Sequence, residues 1–163
     1  MGSDPIFALF GRSVVLSLQE LSDRACIGDV LVREAGAMDR SDWETWESQF
    51  TPDALIDYTA NDGACGNPAE VRAWLSVVLG RFTACQHLSS NHEISLQGDR
   101  ATVRSMQYIG VKADAPDGPR VLFSGIWFRD EFVRTDSGWR ICSRIEELAW
   151  RHNFPVDFRP PQA

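Results

Sequence analysis

Residues 101–109, with the sequence ATVRSMQYI, decide the fold. Ala101 and Val103 alternate with Thr102 and Arg104, and the alternation continues to the end of the stretch. A period of two is that of a β-strand with one buried face, because successive side chains point to opposite sides. We therefore predict a long strand here, and the same alternation recurs on both sides of it.

The C-terminal half consists of such stretches separated by turn sequences. Gly98-Asp99 and residues 135–138 favour tight turns, and the Pro/Asp/Gly segment 113–119 favours a longer loop. The strands predicted on this basis cover residues 87–97, 101–109, 121–133 and 139–148. We expect them to form antiparallel pairs.

The N-terminal half has helical spacing instead. Ser17 and Glu20 form a capping-box pattern before a first amphipathic segment, and Ser41 is the expected N-cap of a second. Thr51-Pro52-Asp53 is expected to break the chain before a short strand. The predicted segments are helices over 18–38, 42–50 and 69–82 and a strand over 54–59. Helices followed by antiparallel strands indicate an α+β fold, with the helices packed on a strongly curved sheet around an apolar pocket.

Length and composition narrow the class of protein. The 163 residues suit one domain, with residues 1–16 as a loose arm and 152–163 as an irregular tail. Six Trp and nine Phe supply rings for a core and for the walls of a cavity. The net charge of −7, with Lys112 as the single lysine, argues against nucleic acid and membrane surfaces, which need clustered basic residues.

The four cysteines have no paired spacing, so neither a disulfide framework nor a zinc site is predicted. We expect each to be a small buried apolar residue in a reducing, cytoplasmic setting. No apolar run in the sequence has the length of a membrane span or the pattern of a signal peptide. The cysteines are Cys26, Cys65, Cys85 and Cys142.

Three titratable residues are candidates for chemistry in the pocket. Asp39 ends the first predicted helix and His87 begins the first long strand, so their side chains could meet at the pocket floor. A carboxylate on one ring nitrogen of a histidine fixes its tautomer and raises the basicity of the other nitrogen. Tyr58 could donate a hydrogen bond to a substrate oxygen. Each residue also has a purely structural interpretation. Asp39 could be a turn residue at the helix end, His87 a hydrogen-bonded core or surface histidine, and Tyr58 an ordinary packed strand residue.

Other polar residues of the strands are weaker candidates. In a flat strand Asn91 shares the face of His87, whereas His92 points the opposite way, which disfavours a metal site shared by the two histidines. Arg144 could bind a carboxylate, but an exposed strand arginine is the simpler interpretation. Motifs for nucleotide phosphates, metal hydrolases and serine nucleophiles are missing from the sequence.

Several short fragments, taken in order, resemble the SnoaL-like branch of the NTF2-like superfamily. They are residues 38–43 (MDRSDW), 50–54 (FTPDA), 56–58 (IDY), 86–88 (QHL), 98–101 (GDRA) and 138–141 (GWRI). The resemblance implies a cone-shaped α+β barrel that is often a homo-oligomer, here a dimer or trimer. Within the superfamily the motifs are most similar to those of scytalone dehydratase and bile-acid dehydratases.

That resemblance assigns roles to the candidates. It implies that Asp39 orients His87, that His87 moves protons and that Tyr58 polarises a carbonyl, without a metal or organic cofactor. This chain also departs from the pattern of scytalone dehydratase at three positions. Met38 stands where that pattern has a tyrosine before the Asp, Val111 stands near the position of a second catalytic histidine, and Phe128 stands near the position of a pocket asparagine. The pocket is therefore expected to be drier and more apolar.

The function predicted from the sequence is that of a cofactor-independent dehydratase acting on a hydroxylated cyclic or polycyclic carbonyl metabolite. His87 would remove a proton next to the carbonyl and could return it to the leaving hydroxyl. Met38, Asn91 and Phe128 are the predicted substrate contacts. An isomerase or cyclase using the same Asp–His pair remains an alternative, as does a non-catalytic module that binds an apolar ligand or a protein.

Overall fold

The computed structural model describes residues 15–115 and 118–155. Its helices are α1 (Leu18–Asp39), α2 (Trp43–Glu47) and α3 (Pro68–Leu79), and a short 3₁₀ turn covers Thr59–Asn61. Its strands are β1 (Phe50–Asp57), β2 (Cys65–Gly66), β3 (Ala84–Gln97), β4 (Arg100–Ala113), β5 (Arg120–Thr135) and β6 (Gly138–His152). The predicted α+β fold is confirmed. Most of the arm and tail predicted from the sequence lies outside the described residues.

The six strands form one mixed sheet in the order β2-β1-β6-β5-β4-β3. Strand β1 runs parallel to β6, and the other neighbours are antiparallel. The described strands leave two free edges, so the sheet is not closed into a barrel, although a cone is compatible with it. Helix α1 lies against β3 and β6, and α3 lies against β1. The core fills the space between these helices and the inner face of the sheet.

The starts of the helices follow local capping chemistry. Ser17 and Glu20 form the predicted capping box at α1. The prediction that Ser41 caps α2 is wrong: Ser41 has a left-handed φ of 55°, and the cap is Asp42, whose carboxylate accepts a hydrogen bond from the Thr45 amide. Residues 51–53 continue strand β1 instead of breaking the chain.

A bulge in β6 changes which side chains face inward. Ile141 pairs with Phe132 and Ser143 with Glu131, so Cys142 is one residue too many for the ladder. A bulge shifts the two-residue period by one, and as a result Arg144 points into the core with no exposed surface. The interpretation of Arg144 as an exposed strand arginine is therefore wrong.

A second bulge lies in β3 between Ser90 and Glu93. It puts His92 on the inner face together with His87, although the flat-strand argument placed them on opposite faces. Asn91 occupies the bulge itself, exposed and with a left-handed φ of 53°. Asn and Gly tolerate this backbone region better than other residues do.

The cysteines are less buried than predicted. All four are free thiols; Cys26 and Cys65 are exposed, and Cys85 and Cys142 are half-buried. The expectation of four buried cysteines is wrong because each lies at a helix surface, a sheet edge or a bulge. Within the described residues, the helices lack the combination of length and apolar character needed to cross a bilayer.

Candidate functional site

A cavity of about 110 Å³ lies between α3 and the inner face of the sheet. On this scale one water needs about 10–15 Å³, so the cavity admits a small organic molecule. Most of its wall is apolar: Trp74, Leu75 and Phe82 on the helix side, and Ile109, Ile126 and Phe128 on the sheet side. A few polar side chains, His87, Tyr58 and Glu146 among them, also line the cavity.

Asp39 and His87 meet at this cavity, as the sequence suggested. Asp39 is the last residue of α1, and His87 is the fourth residue of strand β3. The His87 Nδ1 is 2.7 Å from Asp39 Oδ1, and the His87 backbone N–H donates to both carboxylate oxygens at 3.0 and 3.1 Å. These three contacts fix the imidazole, and Nε2 is the ring nitrogen left for a substrate.

The surroundings of His87 favour its charged form. The imidazole side chain is 4% exposed. Burial lowers the pKa of His87, but hydrogen bonds to Asp39 and Cys85 outweigh burial and raise the pKa to about 9. The carboxyl end of α1 adds a favourable position for a cation. At neutral pH His87 therefore carries a proton that it can donate through Nε2.

Cys85 stands beside the pair, with its Sγ 3.6 Å from His87 Nδ1. In the described part of the chain, Asp39, Cys85 and His87 form a group whose potential metal-ligand atoms all lie within 4.8 Å of one another. The 2.7 Å separation of Nδ1 and Oδ1 is that of a charge-assisted hydrogen bond. As folded, the group is a hydrogen-bonded carboxylate–imidazole pair with a neighbouring thiol.

Tyr58 points into the same cavity from the end of β1. It is 4% exposed, and its hydroxyl has no hydrogen-bond partner among residues 15–115 and 118–155. Burial raises the pKa of Tyr58 above its usual range, so the phenol stays neutral. A neutral, buried and unpartnered hydroxyl is suited to donate a hydrogen bond to a substrate oxygen.

Behind Tyr58 and Phe128 lies a buried ion cluster that the sequence argument missed. The guanidinium of Arg144 binds Asp130 through two contacts of 2.7 and 2.9 Å and lies 2.9 Å from a Glu34 oxygen. It also sits 4.0 Å from the centre of the Phe128 ring. The cluster thus places one guanidinium between two carboxyl groups behind the inner wall of the cavity. Burial raises the pKa of Asp130, and the charge of Arg144 acts against that effect.

Glu146 is the other polar side chain that the sequence argument missed. It follows the β6 bulge, lines the cavity and is 6% exposed. Burial raises the pKa of Glu146 to about 7, although Asn61 and the charges of Arg144, Arg151 and His87 act in the opposite direction. In the sequence, the alternation of Asp130 with Phe128 and Phe132 was a signal of a buried charge.

The predicted substrate contacts divide into two groups. Met38 and Phe128 line the cavity, and so does Val111, at the position where the scytalone pattern has a second histidine. Asn91 is not among the lining residues; its amide lies 4.0 Å from Met106 Sδ at the exposed bulge. The structure therefore brings together Asp39, His87, Tyr58, Met38 and Phe128, and it leaves Asn91 outside.

Comparison with known proteins agrees with the fold and geometry. The SnoaL-like domain family matches residues 19–145. An uncharacterised protein of Mycobacterium tuberculosis is 40% identical over 139 residues, which cover 85% of this chain and 93% of that protein. A crystal structure of a protein from Kribbella flavida has a TM-score of 0.76 at 25% identity, with 82% of this chain and 95% of that chain covered.

A scytalone dehydratase-like protein from Novosphingobium aromaticivorans is also similar in structure. Its TM-score is 0.74 at 19% identity, and the match covers 86% of this chain and 93% of that chain. At that level of identity the similarity concerns the fold alone.

Proposed function

The chain belongs to the SnoaL-like family of the NTF2-like superfamily, as its motifs predicted, and we propose that it is a dehydratase acting on a small hydroxylated cyclic carbonyl compound. The observation that carries the proposal is the Asp39–His87 pair, which presents one ring nitrogen to an apolar cavity. Because a protein of the same fold is described as a scytalone dehydratase, dehydration is the first reaction to test.

Dehydration next to a carbonyl requires two proton transfers. One group removes a proton from the carbon beside the carbonyl, and another protonates the hydroxyl that leaves from the next carbon. The imidazolium of His87, with a pKa of about 9, is suited to the second transfer at neutral pH. Its neutral form, which is about 1% of the total at pH 7 for that pKa, can also perform the first.

Tyr58 and the cavity wall complete the catalytic arrangement. Negative charge develops on the carbonyl oxygen when the neighbouring proton leaves, and the Tyr58 hydroxyl donates a hydrogen bond to it. General acid–base catalysis contributes roughly 10²–10⁴-fold, or about 3–5 kcal/mol of barrier at about 1.4 kcal/mol per decade. The hydrogen bond from Tyr58 in a dry cavity adds to this contribution.

The proposal is tested with cyclic β-hydroxyketones of one and two rings, starting with 3-hydroxycyclohexanone and 3-hydroxy-1-tetralone. Loss of water produces a conjugated product that is followed by its absorbance. We expect His87→Gln to lower kcat by about 100-fold or more, since it removes the proton donor. Asp39→Asn should lower kcat as well, because it removes the group that keeps His87 charged.

The chain offers a matched control. His92 lies on the same strand and the same face, bonds Ser89 at 3.0 Å and is not part of the cavity wall. His92→Gln should therefore retain the rate of the unaltered protein. Equal rates for His87→Gln, Asp39→Asn and the unaltered protein would remove the basis of the proposal.

A further inference from the structure

Glu146 and Glu147 are neighbours in sequence with opposite surroundings. The bulge at Cys142 turns Glu146 into the cavity, whereas Glu147 faces outward and pairs with Arg129 at 2.7 Å. A buried glutamate is rare unless a cation or a hydrogen-bond network holds it. Glu146 therefore calls for an explanation that Glu147 does not need.

Structural pairing accounts for Glu146 only in part: Asn61 hydrogen-bonds its side chain, but one carboxyl oxygen is left over. Its Oε1 is buried and accepts no hydrogen bond from any residue in the described ranges. Arg151, a cation on the same strand, directs its hydrogen bonds to Asn61. A carboxyl oxygen of Glu146 is thus aimed at the same space that His87 and Tyr58 enter.

The charges around Glu146 set its protonation state relative to His87. It is faced by Asn61 on the 3₁₀ turn, by Arg144 and Arg151 on its own strand, and by His87 on β3. The pKa of Glu146 is raised by burial to about 7, and that of His87 is raised mainly by Asp39 to about 9. Between these values the cavity holds a carboxylate and an imidazolium, which are a base and an acid in one site.

From this arrangement we infer that Glu146 is the base of the reaction and that His87 is its acid. The inference rests on the proposed dehydration. The bond between the α-carbon and its hydrogen breaks, the proton moves to the Glu146 carboxylate, and the electron pair forms an enolate held by Tyr58. That electron pair then makes the carbon–carbon double bond as the bond to the hydroxyl breaks, and the oxygen leaves as water with the proton of His87.

Proton transfer between Glu146 and His87 also restores the starting protonation states of both groups. After one turnover Glu146 holds a proton and His87 is neutral. The proton returns from Glu146 to His87 through the released water, and the transfer is downhill because His87 is the more basic group. Glu146 thus supplies the second proton-transfer group that is missing at Val111.

The first experiment separates the base from the acid. Cyclohexanone and 1-tetralone have α-protons but no leaving hydroxyl, so exchange of those protons in D₂O, followed by NMR, reports the base alone. We expect Glu146→Gln to lower the exchange rate by about 100-fold, which is more than His87→Gln lowers it, and Glu147→Gln to match the unaltered protein. Exchange that survives Glu146→Gln but is lost in His87→Gln would overturn the inference and leave the proposed dehydration intact.

The second experiment uses the pH profile of dehydration. With Glu146 as base and His87 as acid, kcat rises through about pH 7, is level, and falls through about pH 9, and Glu146→Gln loses the lower limb. A rate that rises continuously to pH 9 and beyond would mean that neutral His87 is the base, which contradicts the inference.

A third measurement needs no substrate. The side-chain carboxyl of Glu146 can be titrated by ¹³C NMR, with Glu146→Gln to assign the signal. Titration near pH 7 is expected, and titration near the ordinary glutamate value of about 4.3 would overturn the inference whatever the activity of the protein. If both His87→Gln and Asp39→Asn kept full dehydration activity, that result would instead count against the proposed function.

Discussion

The pKa values of the two inner-face histidines of β3 should be shifted in opposite directions, and this contrast tests the electrostatics of the site. The hydrogen bond to Asp39 outweighs burial and places the pKa of His87 at about 9, whereas burial lowers the pKa of His92 below its usual value. The chain has three histidines, so a titration of ring resonances by NMR resolves each one. Replacement of each by Gln assigns the signals.

The magnitude follows from the shift of His87. Its pKa rises from 6.5 to about 9, and at about 1.4 kcal/mol per unit this corresponds to about 3 kcal/mol. Because folding raises the pKa, the stabilisation is complete below about pH 6.5 and is lost as the pH rises through about 9. Between pH 7 and pH 9 the free energy of unfolding should fall by about 2 kcal/mol.

Asp39→Asn removes the main cause of the raised pKa. Burial then dominates, so the pKa of His87 should fall below 6.5 and the loss of stability between pH 7 and 9 should disappear. Urea unfolding at several pH values measures this loss of stability. The measurement is made in a Glu146→Gln background, because the Glu146 carboxyl would otherwise titrate in the same pH range. A His87 that titrates near 6.5 in the unaltered protein would refute the argument that Asp39 controls it.

Three further substitutions test neighbouring parts of the site. Arg144→Met should destabilise the protein by about 3–5 kcal/mol in urea unfolding at neutral pH, because Asp130 and Glu34 lose their buried counter-charge; a loss below about 1 kcal/mol would contradict the pairing. Tyr58→Phe should lower kcat about 10–100-fold with little change in melting temperature, because its hydroxyl accepts and donates no hydrogen bond within the described residues. Cys85→Ala should lower the pKa of His87 less than Asp39→Asn does, as an NMR titration would show, because the carboxylate makes the stronger hydrogen bond.

The sequence predicted the parts of the site that depend on element boundaries. The helix that begins at Ser17 ends at Asp39, and the strand that follows α3 begins just before His87, so the two side chains meet where two elements meet. Tyr58 was placed by the same logic at the end of a short strand. Such positions follow from periodicity and capping, which are local properties of the sequence.

The parts that the sequence did not predict depend on single-residue bulges. Cys142 and the residues between Ser90 and Glu93 shift the phase of β6 and β3. Strict alternation continued through Cys142 would have turned Arg144 and Glu146 outward, and through Asn91 it would have turned His92 outward. A bulge is set by strand pairing across the sheet, so the local sequence carries little signal of it.

The buried ion cluster bears on the proposal that Tyr58, and not Arg144, stabilises the enolate. The Arg144 guanidinium is held by Asp130 on one side and Glu34 on the other, so its position is fixed behind the cavity wall. Burial keeps the pKa of Tyr58 high; the neighbouring charge of Arg144 acts against burial, and that of Glu34 acts with it. In the proposed mechanism Tyr58 is therefore a neutral donor over the pH range in which Glu146 and His87 change state. We expect the pH dependence of the reaction to follow those two groups.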